Sequence, residues 1–169
     1  CVLVVDGEPV NLKLMELVLT QQNFTVSIAE NEIEAISLVT KNKYDVIVLD
    51  IVMPETEDYQ VLKAVKKNEA SKATPVVVCS ELKDKQTVTN CIKLGVAEYI
   101  VKPFDPEKLL LYVERVISAS KSVPGNLSSP EKTGVAQPAS APTNRKDALM
   151  LLAEKLENDE LEFPAMPEV

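Results

Sequence analysis

The chain has 169 residues, with 26 acidic and 18 basic side chains, a formal net charge of −8 and no histidine. A chain of this length can bury one ordinary core with residues to spare, so we expect one domain and an appendage. The acidic balance and the lack of a basic cluster exclude a surface that contacts nucleic acid directly. Without histidine, the chain has no imidazole triad, no imidazole metal site and no phosphohistidine of its own.

The cysteines and the hydropathy indicate the compartment. Cys1, Cys79 and Cys91 are odd in number and unpatterned, and two of them lie within apolar elements, as free buried thiols do in a reducing cytosol. No apolar stretch approaches the ~20 residues of a membrane span, and no signal segment opens the chain. We therefore expect a cytoplasmic protein without membrane contact.

Five short apolar runs are predicted β-strands. They are Val2 to Val5, Phe24 to Ala29, Val46 to Leu49, Val76 to Cys79 and Tyr99 to Val101. Four are continuously apolar, as is typical of strands covered on both faces, whereas the second alternates and suits a sheet edge. Helix-length segments separate the runs, which is the pattern of βα units. The sequence therefore predicts an α/β fold with a doubly wound five-stranded parallel sheet, order 2-1-3-4-5, and helices on both faces.

Apolar residues at helical spacing mark three of the intervening helices. They are Val10, Leu14, Leu17 and Val18, then Val88 and Ile92, then Leu109, Val113, Val116 and Ile117. We interpret each stripe as core packing. Pro9 and Pro106 suit the first turn of a helix, and Asp105 suits the cap of the last one.

The composition changes after residue 120. Residues 1–120 form the predicted domain, and residues 121–143 are rich in Pro, Ser and Ala, which predicts a linker. Residues 144–169 predict an amphipathic helix with leucines on one face, followed by the truncated beginning of a further domain.

Polar side chains follow four of the predicted strands, namely Asp6, Asp50, Ser80 and Lys102. The carboxyl ends of parallel strands face one crevice, so these four groups should meet there. Two carboxylates, a hydroxyl and an ammonium suit phosphoryl transfer to an aspartate, with Asp50 as acceptor and a Mg²⁺ ion at Asp6. Taken singly, Asp6 would be an ordinary cap and Ser80 an ordinary loop residue, so the prediction rests on their joint occurrence.

Residues 2 to 118 resemble a response-regulator receiver domain. The resemblance rests on Val4-Val5-Asp6-x-Glu8-Pro9, on Leu49-Asp50-Ile51-Val52-Met53-Pro54, on Ser80 and on Lys102-Pro103-Phe104. It implies a flavodoxin-like fold in which Asp50 is the phosphoacceptor, Ser80 the hydroxyl that moves to the phosphoryl group, and Lys102 the phosphate partner. It also implies that the metal is held by Asp6, Asp50 and the Val52 backbone carbonyl, and that Tyr99 turns inward when Ser80 moves.

The resemblance further implies the partners of the chain. A histidine kinase or a phosphotransfer protein would donate the phosphoryl group, and a downstream output domain or protein would respond, with a homodimer left open. No enzymatic activity is expected beyond self-phosphorylation and self-dephosphorylation at Asp50. The segment Phe163-Pro164-Ala165-Met166-Pro167-Glu168-Val169 resembles the beginning of an HDOD-type output domain.

The sequence departs from the receiver pattern around the same crevice. Gly7 stands where the second acidic residue of the metal site is usual, which predicts weak Mg²⁺ binding, with Glu8 as an alternative ligand. The run 55–58 is acidic where a glycine-containing turn is usual, and Glu81 replaces the usual small residue. Two functions therefore stay open: a phosphorylation-controlled switch, favoured because Asp50 and its partners are retained, and a degenerate receiver that acts as an interaction or dimerisation module without phosphate.

A nucleotide or flavin enzyme built on the same sheet is disfavoured. Such an enzyme needs a glycine-rich loop after the first strand so that phosphates can approach the backbone. The loop Asp6-Gly7-Glu8-Pro9 has one glycine and two acids, which repel phosphate.

Overall fold

One parallel sheet organises the computed structural model, which describes residues 1–53 and 59–121. In chain order the elements are β1 (Val2–Val5), α1 (Pro9–Gln21), β2 (Val26–Ala29), α2 (Glu32–Lys41), β3 (Val46–Leu49), α3 (Gln60–Lys67), β4 (Val76–Ser80), α4 (Lys85–Lys93), β5 (Glu98–Val101) and α5 (Pro106–Lys121). The strand order is β2-β1-β3-β4-β5 with every pair parallel, which confirms the predicted fold. The predicted linker, amphipathic helix and HDOD-like segment lie outside the described residues.

The sheet separates two apolar cores. Alternate residues of β1, β3 and β4 face α2, α3 and α4 on one side, and the others face α1 and α5 on the opposite side. All residues of these three strands are buried, because both faces are covered by helices. The edge strand β2 is the exception, with Ile28 37% exposed. The central strands therefore hold their carboxyl ends in a fixed register.

Helix α1 buries the face opposite to the predicted one. Its buried residues are Leu12, Met15 and Leu19. By contrast, three predicted core residues are exposed, with Val10 at 78%, Leu14 at 43% and Leu17 at 53%. Val18 is half-buried. Both sets recur at helical spacing, so periodicity alone did not decide between them. We call Val10, Leu14 and Leu17 the α1 stripe.

The other two helix predictions are confirmed. The apolar residues predicted to pack on α4 and α5 are buried, namely Val88, Ile92, Leu109, Val113, Val116 and Ile117. Helices α1 and α5 begin at Pro9 and Pro106 as predicted. Before α5, the Asp105 carboxylate accepts a hydrogen bond from the Glu107 N–H at 2.9 Å.

The cysteines are free thiols, and two of them are buried, as predicted. Burial raises the pKa of the Cys91 thiol to about 12, and it also raises the pKa of the Cys79 thiol. Both thiols therefore stay protonated and act as small packing residues. Across residues 1–53 and 59–121, no helix is long and apolar enough to cross a membrane.

Candidate functional site

The register of the sheet brings the predicted site residues to one edge. Val5 pairs with Leu49, and the next residue, Asp50, donates its backbone N–H to the Val5 carbonyl at 2.8 Å. The Lys102 N–H donates in the same way to the Ser80 carbonyl at 2.9 Å. These backbone bonds continue the ladder past the strands and fix the positions from which the side chains extend.

A lysine bridges the two carboxylates of the site. Lys102 Nζ lies 2.7 Å from Asp6 Oδ2 and 2.6 Å from Asp50 Oδ2. The side chains are 10% exposed for Lys102, 0% for Asp6 and 7% for Asp50. Charge-assisted bonds in such a place are strong, because little water competes for them. With both carboxylates ionised, the three groups carry one excess negative charge, which favours a further cation.

The burial of this triad alters its titration. Burial raises the pKa of Asp50 above its ordinary value, and the nearby Asp6 charge adds to this. Hydrogen bonds from Lys102 and from the Val52 N–H, with the Lys102 charge, lower the pKa but do not cancel the effect of burial. Burial also acts to lower the pKa of Lys102, but its bonds to Asp50 and Asp6 outweigh this, and its pKa is raised. Lys102 is therefore a permanent cation at neutral pH.

The loop after β1 holds Asp6 through its second oxygen. Asp6 Oδ1 accepts hydrogen bonds from the Glu8 N–H at 2.9 Å and from Asn11 Nδ2 at 3.4 Å. Asp6 is thus also the turn residue that its sequence position suggested. Asn11 Nδ2 also lies 3.1 Å from Glu8 Oε2. The sequence analysis missed Asn11, although its position in the first turn of a predicted helix, three residues after Glu8, was an available signal.

Ser80 and Tyr99 both bond to the peptide groups of one residue. Ser80 Oγ accepts from the Leu82 N–H at 3.2 Å, and the Tyr99 hydroxyl donates to the Leu82 carbonyl at 2.6 Å. Tyr99 is 2% exposed, so its ring already faces inward. Burial raises the pKa of Tyr99, and a hydrogen bond with Ser80 lowers it in part. The role of Leu82 left no trace in the sequence, because it uses only backbone atoms.

An open groove leads from Lys102 toward the α1 stripe. Its volume is about 400 Å³, and it is lined by Glu8, Asn11, Leu14, Glu81, Lys102, Pro103 and Phe104. Its lining combines the ammonium of Lys102, the apolar side chains of Leu14, Pro103 and Phe104, and the carboxylates of Glu8 and Glu81. Glu8 and Glu81 are both exposed. The groove thus extends from Lys102, which bonds to Asp50, to the surface of α1.

The donor set of the site suits a Mg²⁺ ion. Asp6 and Asp50 supply carboxylate oxygens, and the Val52 backbone lies beside them, since its N–H donates to Asp50 Oδ1 at 2.8 Å. Within the described ranges, no group of three acidic, histidine or cysteine side chains could hold a metal. Gly7 supplies no carboxylate, and the Glu8 carboxylate is bonded to Asn11. Carboxylates, a backbone oxygen and waters are ligands of the kind that Mg²⁺ takes in proteins.

The chain matches known receiver domains along most of its length. The family model for the response regulator receiver domain covers residues 2–114. Transcriptional regulatory protein ResD of Bacillus subtilis (strain 168) is 32% identical over 132 residues, which are 78% of this chain and 54% of that protein. The chain thus spans about half the length of the curated relatives it matches.

Solved structures show the same fold. The non-phosphorylated HemR receiver domain from Leptospira biflexa is 27% identical, with a TM-score of 0.65 over 78% of this chain and 98% of that one. The receiver domain of sensor histidine kinase PA1611 from Pseudomonas aeruginosa PAO1, which holds a magnesium ion in its active-site cleft, is 24% identical, with a TM-score of 0.64 over 69% of this chain and 96% of that one. The chain belongs to the response regulator receiver domain family of two-component systems.

Proposed function

We propose that Asp50 accepts a phosphoryl group from a phosphohistidine of a partner histidine kinase or phosphotransfer protein. Phosphorylation of an aspartate is the general function of the family. In the reaction an Asp50 carboxylate oxygen bonds to phosphorus, the phosphorus–nitrogen bond breaks, and the imidazole leaves. The observation that carries the proposal is the ammonium of Lys102, 2.6 Å from Asp50 Oδ2, on a lysine that also lines an open groove.

The residues around Asp50 would position the phosphoryl group and stabilise the negative charge on its oxygens. Lys102 pairs with one phosphoryl oxygen, and the Ser80 hydroxyl donates to another once it leaves the Leu82 N–H. The Val52 N–H orients the carboxylate. Asp6, Asp50 and the Val52 carbonyl would hold a Mg²⁺ ion, which neutralises phosphoryl charge when bound. Glu8 remains an alternative ligand, and the missing carboxylate at Gly7 supports weak binding.

Phosphorylation would act on protein contacts through the backbone of Leu82. Ser80 accepts a hydrogen bond from the Leu82 N–H and Tyr99 donates one to the Leu82 carbonyl, so a movement of Ser80 toward a phosphoryl group releases the Leu82 N–H. The loop before α4 can then adopt a second conformation. This change shifts the equilibrium between two conformations of the surface formed by α4, β5 and α5. A downstream output domain or protein would read this surface. The homodimer and the cytoplasmic location stay predictions.

The α1 stripe supports a docking place for the phosphodonor protein. Leu14 belongs both to the stripe and to the groove that reaches Lys102. A partner that covers the stripe with an apolar helix face therefore brings its phosphohistidine to the mouth of the groove.

The alternative function is an interaction module that works without phosphate. Gly7 in place of the usual second acidic residue favours it, but the comparisons with known receivers do not. Incubation with phosphoramidate and Mg²⁺, followed by intact mass, separates the two functions. One added phosphoryl group in the wild type and none in Asp50→Asn supports the acceptor. No addition in the wild type overturns it.

A further inference from the structure

We propose that the amphipathic helix predicted from the sequence at residues 144–156 docks along the α1 stripe of its own chain. We call this segment, which lies outside the described residues, the tail helix. Its apolar face consists of Leu149, Leu152 and Leu156. Docking would cover Leu14, which also lines the groove at Lys102. A phosphodonor protein would then have to displace the tail helix, a consequence that rests on the proposed function.

The α1 stripe differs from the other exposed apolar side chains of the fold. Its three residues lie on one face of a single helix. Elsewhere within residues 1–53 and 59–121, large exposed apolar side chains occur one to a helix, strand or loop, namely Ile28, Ile33, Val52, Leu82 and Leu111. Contiguous exposed apolar surface marks interaction sites, whereas single residues need no explanation. The stripe is therefore the surface of the described fold that suits an apolar helix face.

The tail helix matches the stripe in spacing. The residues of the stripe are separated by four and then three positions, and the three leucines of the tail helix by three and then four. Either spacing places three side chains on one face over two turns, about 10 Å along the axis. A helix as short as the predicted one is marginal in water unless its apolar face packs against something. Pairing the two faces would remove both from water.

The chain itself keeps the tail helix near the stripe. Helix α5 packs beside α1 and ends at Lys121, and residues 122–143 join it to the tail helix. A flexible coil of that length has a typical end-to-end distance of roughly 25 Å, whereas α1 is about 20 Å long. The linker therefore reaches either end of the stripe. Such a tether gives an effective concentration in about the millimolar range, at which weak helix pairing suffices.

Charge favours a parallel arrangement of the tail helix and α1. Glu8 and Glu81 are exposed and line the groove beside the first turn of α1. The tail helix begins with Arg145 and Lys146, and the acidic run 157–162 follows it. The last turn of α1 carries no charged side chain. Parallel packing therefore places the basic turn beside the two carboxylates and the acidic run beside an uncharged turn.

Hydrogen exchange followed by mass spectrometry on the chain of 169 residues tests the docking. In the wild type, the amides of residues 149–156 should exchange at least about tenfold more slowly than in an unstructured peptide, independently of protein concentration. Leu14→Ser combined with Leu17→Ser should reduce this protection to about twofold or less, because it removes apolar contacts of the stripe. Ile33→Ser is the matched control, because Ile33 is 83% exposed on α2. It should leave the protection unchanged.

Arg145→Glu combined with Lys146→Glu is a second variant, which leaves residues 1–121 untouched. Acidic residues in the first turn stabilise an isolated helix, so a loss of protection cannot come from a lower helix propensity. We expect the protection to fall about two- to fivefold at low ionic strength, because the variant repels Glu8 and Glu81. At about 0.5 M salt the variant should approach the wild type, since these charges are exposed and screened.

Three outcomes would overturn the docking. The first is unprotected amides at residues 149–156 in the wild type. The second is protection that survives the substitutions at Leu14 and Leu17, or that falls equally in Ile33→Ser. The third is protection that rises with protein concentration together with a dimer in sedimentation, which would assign the stripe to a second copy. None of these measurements involves phosphoryl transfer, so their failure and the failure of Asp50 as acceptor are distinguishable.

Discussion

Replacing Lys102 with methionine should cost the domain a large part of its stability at neutral pH. Lys102 Nζ lies 2.7 Å and 2.6 Å from two buried carboxylate oxygens. At an effective dielectric constant of about 20, each contact contributes about 6 kcal/mol of Coulomb attraction. The desolvation of the lysine and proton uptake by Asp50 offset much of this, so we expect a net loss of about 3–5 kcal/mol, as for other buried pairs that lose one partner.

The loss should also depend on pH in a defined direction. Burial already raises the pKa of Asp50, and Lys102 is the main group that lowers it, so the pKa rises further in the variant. Above the ordinary value of 3.8, the folded variant then binds more protons than its unfolded chain. Stability therefore falls as the pH rises through this window. The deficit relative to wild type should be larger at about pH 7 than at about pH 5.

Urea unfolding at the two pH values measures both effects. Lys13→Met is the matched control, because Lys13 is 82% exposed and pairs with Glu16 at 3.0 Å. It should change the free energy of unfolding by less than about 0.5 kcal/mol. A loss below about 1 kcal/mol in Lys102→Met, or a loss independent of pH, would refute the account of the triad.

Three further predictions address neighbouring groups. Asp50→Asn should raise stability at neutral pH, because burial raises the pKa of Asp50 and disfavours its charged form. Urea unfolding should show that this gain shrinks as the pH falls toward 3.8, and a gain independent of pH would contradict the prediction. Tyr99→Phe should lower the free energy of unfolding by about 1 kcal/mol in the same assay, because it removes the hydrogen bond to the Leu82 carbonyl. The control Tyr44→Phe should leave the free energy of unfolding unchanged, because the buried Tyr44 hydroxyl has no partner in the described part of the chain, and equal losses in the two variants would contradict the prediction. Gly7→Asp should tighten Mg²⁺ binding about tenfold by calorimetry, whereas the uncharged control Gly7→Asn should not. Equal affinities of the two variants would show that a carboxylate at position 7 does not strengthen Mg²⁺ binding.

The sequence analysis predicted the sheet because local patterns determine it. Buried central strands must be continuously apolar, and their order followed from the single alternating strand at the edge. The meeting of Asp6, Asp50 and Lys102 followed from their positions one residue beyond a strand. Their assigned roles in phosphoryl transfer remain predictions until phosphorylation is measured.

The wrong prediction for α1 and the features that the sequence analysis missed have physical reasons as well. Helix α1 has two apolar faces, so the period of its sequence could not indicate which one packs against the sheet. The bonds of Ser80 and Tyr99 to the Leu82 peptide involve backbone atoms, which any residue at that position would supply. The inward position of Tyr99 likewise depends on packing among distant elements and not on the residues beside it.

The two apolar faces of α1 also matter for handling the isolated domain. Polar substitutions at Leu12, Met15 and Leu19 would disrupt the core, because these side chains are buried. The exposed side chains of the α1 stripe do not pack in the core. The exposed valine and leucine side chains of this helix favour self-association of the domain at about millimolar concentration. Serine or lysine at these three positions is therefore the first change to make when a sample for spectroscopy precipitates.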